Sequence, residues 1–175
     1  MGYVVLAIRQ SAWCWPSGIA SAVSYVVFFH QNRLPGQAAL QALLGVICVY
    51  GWWNWRRGGD ASGALRVSRA GPRVLGAVAV AVAAATVPLG LLLRQSTDSV
   101  APFWDAGLVA ASLFAQWMAA RKWLENWLVW VGVNVASIGL FLWQGHWVTT
   151  GLYVVYLLMA FAGYRAWARS LLRRA

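Results

Sequence analysis

Six stretches of this chain are each long and apolar enough to fill the hydrocarbon core of a bilayer, roughly 30 Å thick, which takes about 20 residues of helix. They run over Trp13–Phe29, Ala38–Trp55, Val74–Leu93, Phe103–Ala120, Trp123–Trp143 and Val148–Trp167. In lipid only an α-helix or a closed barrel satisfies every backbone group, and these stretches lack the strict alternation of barrel strands. They are therefore expected as helices. Of 175 residues, 61% are hydrophobic and only 10% charged, against about 25% charged in soluble domains. That excludes a water-soluble globule, and six spans leave no length for a second domain. The opening Met1–Ile8 is apolar but too short to span, or to serve as a signal-peptide core with its basic flank. It is expected to be the end of a helix whose first part is missing.

The breaks between spans have local causes. Arg33-Leu34-Pro35-Gly36 is a turn signal, and Arg56 through Pro72 is a basic, glycine-containing stretch expected to stay out of the core. Gln95–Pro102 is polar, with Asp98 its acid. The Arg121–Glu125 junction is so short that its flanking helices must be antiparallel neighbours, with Glu125 placed to pair with Arg121 or Lys122.

The formal net charge is +10, but the basic residues sit between and after apolar segments instead of on one soluble face, so nucleic acid is not the implied partner. Alternating the chain across the membrane puts Arg9, Arg56, Arg57, Arg66, Arg69, Arg73, Arg121, Lys122, Arg165, Arg169, Arg173 and Arg174 on one side. Arg33 and Arg94 fall on the other. Basic residues favour the cytoplasmic side, so the C-terminus is expected inside. Cys14 and Cys48 lie in apolar segments without CxxC or metal-ligand spacing, so neither a disulfide framework nor a metal site is expected.

Sliding the chain against itself by 112 residues pairs Arg9 with Arg121, Trp15 with Trp127, Val23 with Val135, Phe29 with Phe141, Leu40 with Leu152, Gly51 with Gly163, Trp55 with Trp167 and Arg57 with Arg169. Interfacial Trp and Arg recur in any membrane protein, but two matched tryptophans at opposite ends of spans favour a duplication. Each repeat would hold three helices, and three helices reverse the chain. The alanine- and valine-rich span at 73–94 would then invert it, so that repeat one (1–57) and repeat two (103–169) point the same way. A linker loop at 58–72 and a basic C-terminal tail at 170–175 complete the single transmembrane domain. Such parallel repeats are a transporter signature, with the site between them near the midplane.

Polar groups at membrane depth are costly unless satisfied or functional. Trp127, Trp130 and Asn134, at i, i+3 and i+7, share one helix face, and Gln41, Gln116, Tyr153 and Tyr156 lie within other spans. Together they form the candidate site. Ser17, Ser21 and Ser24 form a small-residue stripe expected to pack helices, and His30 and His146 lie at outer loops, where they are expected to be solvated. Asp and Glu are absent from the depth of every span, which disfavours a proton relay. HExxH, paired deep aspartates and a phosphate-binding GK[ST] loop are absent too, so proteolysis and ATP chemistry are not indicated. No cofactor is called for. A tryptophan-rich, carboxylate-free site suits a flat aromatic solute, neutral or cationic, since a desolvated cation over an indole face gains about 2 kcal/mol.

Several stretches resemble the PnuC family of bacterial nicotinamide riboside transporters. They are Trp13-Cys14-Trp15-Pro16-Ser17-Gly18, Gln37-Ala38-Ala39-Leu40-Gln41, Tyr50-Gly51-Trp52-Trp53-Asn54-Trp55, and Gln116 with Ala120-Arg121-Lys122. Further on come Glu125-Asn126-Trp127-Leu128-Val129-Trp130, Leu152-Tyr153-Val154-Val155-Tyr156 and Gly163-Tyr164-Arg165-Ala166-Trp167. The resemblance implies an all-α, three-plus-one-plus-three layout similar to full-length SWEET transporters: six complete transmembrane helices plus a truncated first one. It implies a homotrimer in the bacterial inner membrane, working by facilitated diffusion while a cytoplasmic kinase traps the vitamin as its phosphate. By the same resemblance Trp127, Trp130 and Asn134 match the substrate-stacking motif, and Gln41, Gln116 and Tyr153 line the same cavity. Other branches of the family carry thiamine, riboflavin or deoxynucleosides. A non-transporting component that docks on a partner through the basic 56–73 loop is the alternative from another class.

Overall fold

A computed structural model describes residues 1–33, 35–59, 65–96 and 100–173, with Pro35 and Ser96 described by backbone alone. Leu34, Asp98 and Arg174, named above, lie outside the described residues. Seven helices follow one another: α1 (Gly2–Ile8), α2 (Cys14–Gln31), α3 (Pro35–Arg57), α4 (Pro72–Ser96), α5 (Pro102–Ala120), α6 (Asn126–Trp143) and α7 (Trp147–Leu172). Among the described residues the one β contact is an isolated parallel bridge between Ser68 and Trp123. Proline opens α3, α4 and α5, where its missing N–H leaves nothing unsatisfied and its fixed φ suits the first turn.

Four helices end on a residue in the left-handed region just past the cap: Gln10 (φ 57°), Arg33 (φ 58°), Lys122 (φ 56°) and Gly145 (φ 75°). Around three of these turns the backbone closes in the same double pattern. Gln10 N–H donates to Ala7 O and Ser11 N–H to Leu6 O; Lys122 N–H donates to Ala119 O and Trp123 N–H to Met118 O; Gly145 N–H donates to Leu142 O and His146 N–H to Phe141 O. This is the Schellman closure, which satisfies the last carbonyls of a helix. Gln10 and Lys122 are 112 residues apart, as are Arg33 and Gly145.

The helices pack in a closed ring. Going round it, α1 touches α2, α2 touches α3, α3 touches α5, α5 touches α6, α6 touches α7 and α7 returns to α1. Helix α4 stands outside and packs on α5, with Phe103 filling the space above Gly90. Two seams of the ring, α3 with α5 and α7 with α1, join segments distant in sequence. Each is closed by an indole: Trp55 Nε1 donates to Ala119 O at 3.0 Å, and Trp167 Nε1 donates to Ala7 O at 3.0 Å. Trp55 and Trp167 also meet each other, with ring centroids 5.8 Å apart. Trp15 stands edge-on to Trp55 at 5.4 Å and 85°, and Trp127 edge-on to Trp167 at 5.4 Å and 89°. Both inner rings lie flat on a glycine. A Cβ on Gly51 would come within 2.6 Å of the Trp15 ring, and one on Gly163 within 2.6 Å of the Trp127 ring.

Three helical segments, Pro72–Gln95, Asn126–Trp143 and Trp147–Leu172, are long and apolar enough to cross a membrane by length and composition. Helices α2, α3 and α5 have the length, at 18, 23 and 19 residues, but carry polar residues such as Ser17, Ser21, Gln41 and Gln116, while aromatics such as Tyr25, Phe28, Trp53 and Trp104 face outward. The described residues thus form an all-helical membrane protein with seven helices. The segment 123–125 precedes α6, because Ser68 N–H donates to Lys122 O and Leu124 N–H to Ser68 O, drawing that stretch into the bridge. Helix α7 runs on through Leu172, into the stretch expected as a tail.

The linker corrects one expectation outright. Residues 65–70 are not a loop held away from the core: Val67 and Ala70 are buried, and Leu65 packs against the core. Leu65 N–H donates to Trp55 O, Lys122 Nζ donates to Leu65 O at 2.7 Å, and Ala70 N–H donates to Glu125 Oε2 at 2.8 Å. Its arginines point out while its backbone is satisfied inside, so a basic composition did not keep it from the core. Glu125 therefore accepts from a backbone amide, while Arg121 donates to Tyr50 Oη at 3.1 Å and lies over the Trp123 ring.

Trp55→Phe and Trp167→Phe each remove one indole–carbonyl bond and shrink a buried ring packed on other indoles. Each is expected to destabilise by about 2–4 kcal/mol, lost bond and cavity together, lowering the melting temperature of the purified protein. Unchanged melting in both variants would contradict the role of the two seams.

Candidate functional site

Inside the ring lies a cavity of about 400 Å³. Every helix of the ring contributes to its wall, whereas no described residue of α4 does. All the residues singled out from the sequence converge on it: Gln41 from α3, Gln116 from α5, Trp127, Trp130 and Asn134 from α6, and Tyr153 and Tyr156 from α7. Trp55 and Trp167 line the basic end, so the seam bonds are also the cavity's boundary there. Among the described residues no Asp, Glu, Lys, Arg or His side chain lines it.

The i, i+3, i+7 spacing on α6 explains how one helix presents two indoles and an amide together. Asn134 Nδ2 donates to Trp130 O at 2.8 Å, which fixes the amide and leaves its oxygen for another donor. Trp127 is 4% exposed, and its Nε1 is buried without an acceptor among the described residues. A buried indole N–H is normally partnered; Trp15 Nε1 shares this state away from the cavity, so the two are a common feature of the paired indoles. Tyr153 is stacked on Phe141 at 5.3 Å and 27°, and Tyr156 stands edge-on to it at 6.2 Å. Gln116 is 7% exposed; its Nε2 donates to Tyr3 Oη at 2.7 Å and lies 3.8 Å from Cys48 Sγ.

The sequence missed two sources of wall. The serine stripe does not pack helices: Ser17 and Ser21 line the cavity, and exposed Ser24 bonds its own backbone at Ala20 O. Their faces are small because the cavity is there, not because another helix is. The short α1 contributes Met1, Tyr3, Val4 and Ala7. A seven-residue apolar helix carries no periodic signal strong enough to reveal an inward face. His30 and His146 are exposed, as expected, and Cys14 and Cys48 are buried free thiols. No cluster of His, Cys, Asp or Glu able to hold a metal occurs among the described residues.

A ring of membrane helices around a cavity lined by aromatics and amides suits a small solute, and the proteins this chain is similar to are multi-pass membrane transporters and not enzymes. Residues 1–169 match the family described as nicotinamide mononucleotide transporter, and the chain belongs to that family. It is 31% identical, over 95% of its length and 80% of the relative's, to the riboflavin/roseoflavin transporter RibM of Streptomyces davaonensis. To the nicotinamide riboside transporter PnuC of Escherichia coli it is 25% identical, over 87% of its length and 74% of the relative's. The crystal structure of the vitamin B3 transporter PnuC has the same fold, with a TM-score of 0.71 at 22% identity, covering 99% of this chain and 78% of that one. Transport across a membrane is the activity these relatives share.

The two glycine seats separate packing from the cavity. Gly163→Ala and Gly51→Ala both crowd an indole, at a cost of about 1–3 kcal/mol each. Only Gly163→Ala moves a ring that lines the cavity. Gly163→Ala is expected to lower solute uptake well beyond Gly51→Ala, at similar losses in melting temperature. Equal loss of uptake would assign the effect to folding.

Proposed function

We propose that the chain is a vitamin uniporter that carries nicotinamide riboside inward by facilitated diffusion, the vitamin being trapped afterwards by a cytoplasmic kinase. The observation that carries this reading is the convergence of Trp127, Trp130 and Asn134 on one uncharged cavity inside the ring. Indole faces stack a flat ring and attract a cationic one. The Asn134 oxygen supplies a polar contact for an amide or a sugar hydroxyl. Gln41 from α3 and Tyr153 from the neighbouring α7 do the same. Among the described residues no carboxylate lines the cavity, which supports transport down the solute gradient.

In this reading the fold is two parallel three-helix repeats, α1–α3 and α5–α7, joined by α4 as the inverter, the three-plus-one-plus-three layout of full-length SWEET transporters. Support comes from features recurring at a spacing of 112: the turns at Gln10 and Lys122, the glycine seats at Gly51 and Gly163, and the reciprocal bonds Trp55 to Ala119 and Trp167 to Ala7. The arginine asymmetry supports insertion in a bacterial inner membrane with the C-terminus in the cytoplasm. A homotrimer is the assembly expected from the family resemblance.

Riboflavin is the second substrate reading, favoured by the 31% identity to RibM; thiamine and deoxynucleosides remain alternatives of the same kind. The accessory-component reading is weakened by the linker, whose backbone is taken up by the chain's own core.

Purified protein in liposomes is expected to equilibrate labelled nicotinamide riboside with no other protein present; no uptake of nicotinamide riboside, thiamine or riboflavin would favour the accessory reading. Trp130→Ala and Asn134→Ala are each expected to weaken riboside binding by at least about tenfold, the scale of one lost stacking or buried polar contact. Unchanged affinity in both, by calorimetry, would remove α6 from the site.

A further inference from the structure

The two halves of the cavity wall receive their inner aromatic ring from different helices. On α6 the ring is Trp130, and the residue 112 positions earlier is Gly18 on α2. On α1 the ring is Tyr3, and the residue 112 positions later is Ala115 on α5, which is fully buried. The exchange is steric. A Cβ on Gly18 would lie 3.4 Å from Tyr3 Cδ2 and Cε2 and 2.9 Å from Cys48 Sγ. A side chain as large as that of Trp130 could not stand at 18 while Tyr3 occupies its place. The Tyr3 ring is held edge-on to Trp15 at 5.9 Å and 76°.

The phenol does a second thing. Helices α1 and α5 are not neighbours in the ring, yet Gln116 Nε2 on α5 donates to Tyr3 Oη at 2.7 Å. That bond therefore runs across the inside of the ring, between two residues that both line the cavity. It is a crossbar in the lumen, where most polar contacts in this protein join adjacent helices or close turns.

We infer that Tyr3 is the specificity-determining wall of the cavity: its ring, tied to Gln116, bounds the space beside Trp130 and sets the size of flat ring the site admits. The inference rests on the vitamin-transporter reading and deepens it. With the crossbar in place the cavity takes a single ring with its sugar. Removing the Tyr3 ring opens the space between Gly18 and the Trp15 edge and makes room for a fused tricyclic system. It also frees the Gln116 amide.

The test compares two probes of different ring size, nicotinamide riboside and riboflavin, binding to full-length purified protein. Tyr3→Ala is expected to shift the ratio of their dissociation constants by at least about tenfold toward riboflavin, the scale on which a pocket discriminates by size. Tyr3→Phe keeps the ring and is expected to leave that ratio within about threefold, while losing some affinity for the riboside through the altered Gln116. Tyr3→Leu, an apolar replacement that still packs on α2 should the alanine variant not fold, carries the same expected shift as Tyr3→Ala. Equal weakening of both probes in Tyr3→Ala and Tyr3→Leu would overturn the inference, as would a full shift in Tyr3→Phe. Failure of nicotinamide riboside, riboflavin and thiamine alike to bind the parent chain would overturn the vitamin reading and this inference with it. A parent that binds, with an unmoved ratio in the variants, would overturn the inference alone.

Discussion

Everything in this fold hangs on two indole–carbonyl hydrogen bonds, Trp55 to Ala119 and Trp167 to Ala7. Lipid tails are as apolar as leucine, so helices in a bilayer are not driven together by the hydrophobic effect; close packing and interhelical hydrogen bonds must hold them. A ring of six helices has four joints made by chain neighbours and two made by strangers, and these bonds sit on the two strangers' joints. Each acceptor carbonyl belongs to a Schellman turn that already uses it once, so the helix end is fixed in direction before the indole arrives. The rings behind them, Trp15 and Trp127, can then lie edge-on only because Gly51 and Gly163 bring no side chain. A closed basic end follows, and with it a cavity bounded on one side.

The architecture was legible from the sequence because its signals are local. Twenty-residue apolar runs and the spacing of Trp127, Trp130 and Asn134 each act within one helix, and all three of those side chains meet in one cavity. The shift of 112 was legible through Trp15, Gly51 and Trp55, whose counterparts share contacts as well as identity. What stayed hidden depends on partners far along the chain. Tyr3 looked like one apolar residue of a stub, since its meaning comes from Gln116, 113 positions away. The serine stripe has the same spacing whether it faces a helix or a hollow. The linker looked wholly solvated because its arginines dominate its composition, while Val67, Ala70 and the backbone amides that enter the core leave no compositional trace. Breaks were expected at Arg33–Gly36 and Arg121–Glu125, but the left-handed backbone at Gln10, Arg33 and Lys122 left no mark for a related reason: a positive φ is usually announced by glycine, and here a long polar side chain bears the strain.

The pairs of positions 112 apart divide by role. Where the residue closes the ring, the pair is identical: Trp15 and Trp127, Gly51 and Gly163, Trp55 and Trp167. Trp55 and Trp167 also line the closed end of the cavity, and only away from that end do the lining pairs differ: Gly18 and Trp130, Ala22 and Asn134, Gln41 and Tyr153, Leu44 and Tyr156, Cys48 and Ala160. Closure is a symmetric task, because each seam presents the same helix end to the same indole. Holding the proposed solute is not, because a ring with a sugar on one side has no two-fold axis of its own. A cavity with two equal walls would offer two half-matched sites, and selectivity by stacking and a few amide contacts requires one matched site. Under the proposed two-repeat reading, the placing of Trp130 on one wall and of Tyr3 on the other is what such a frame needs in order to grip an asymmetric molecule.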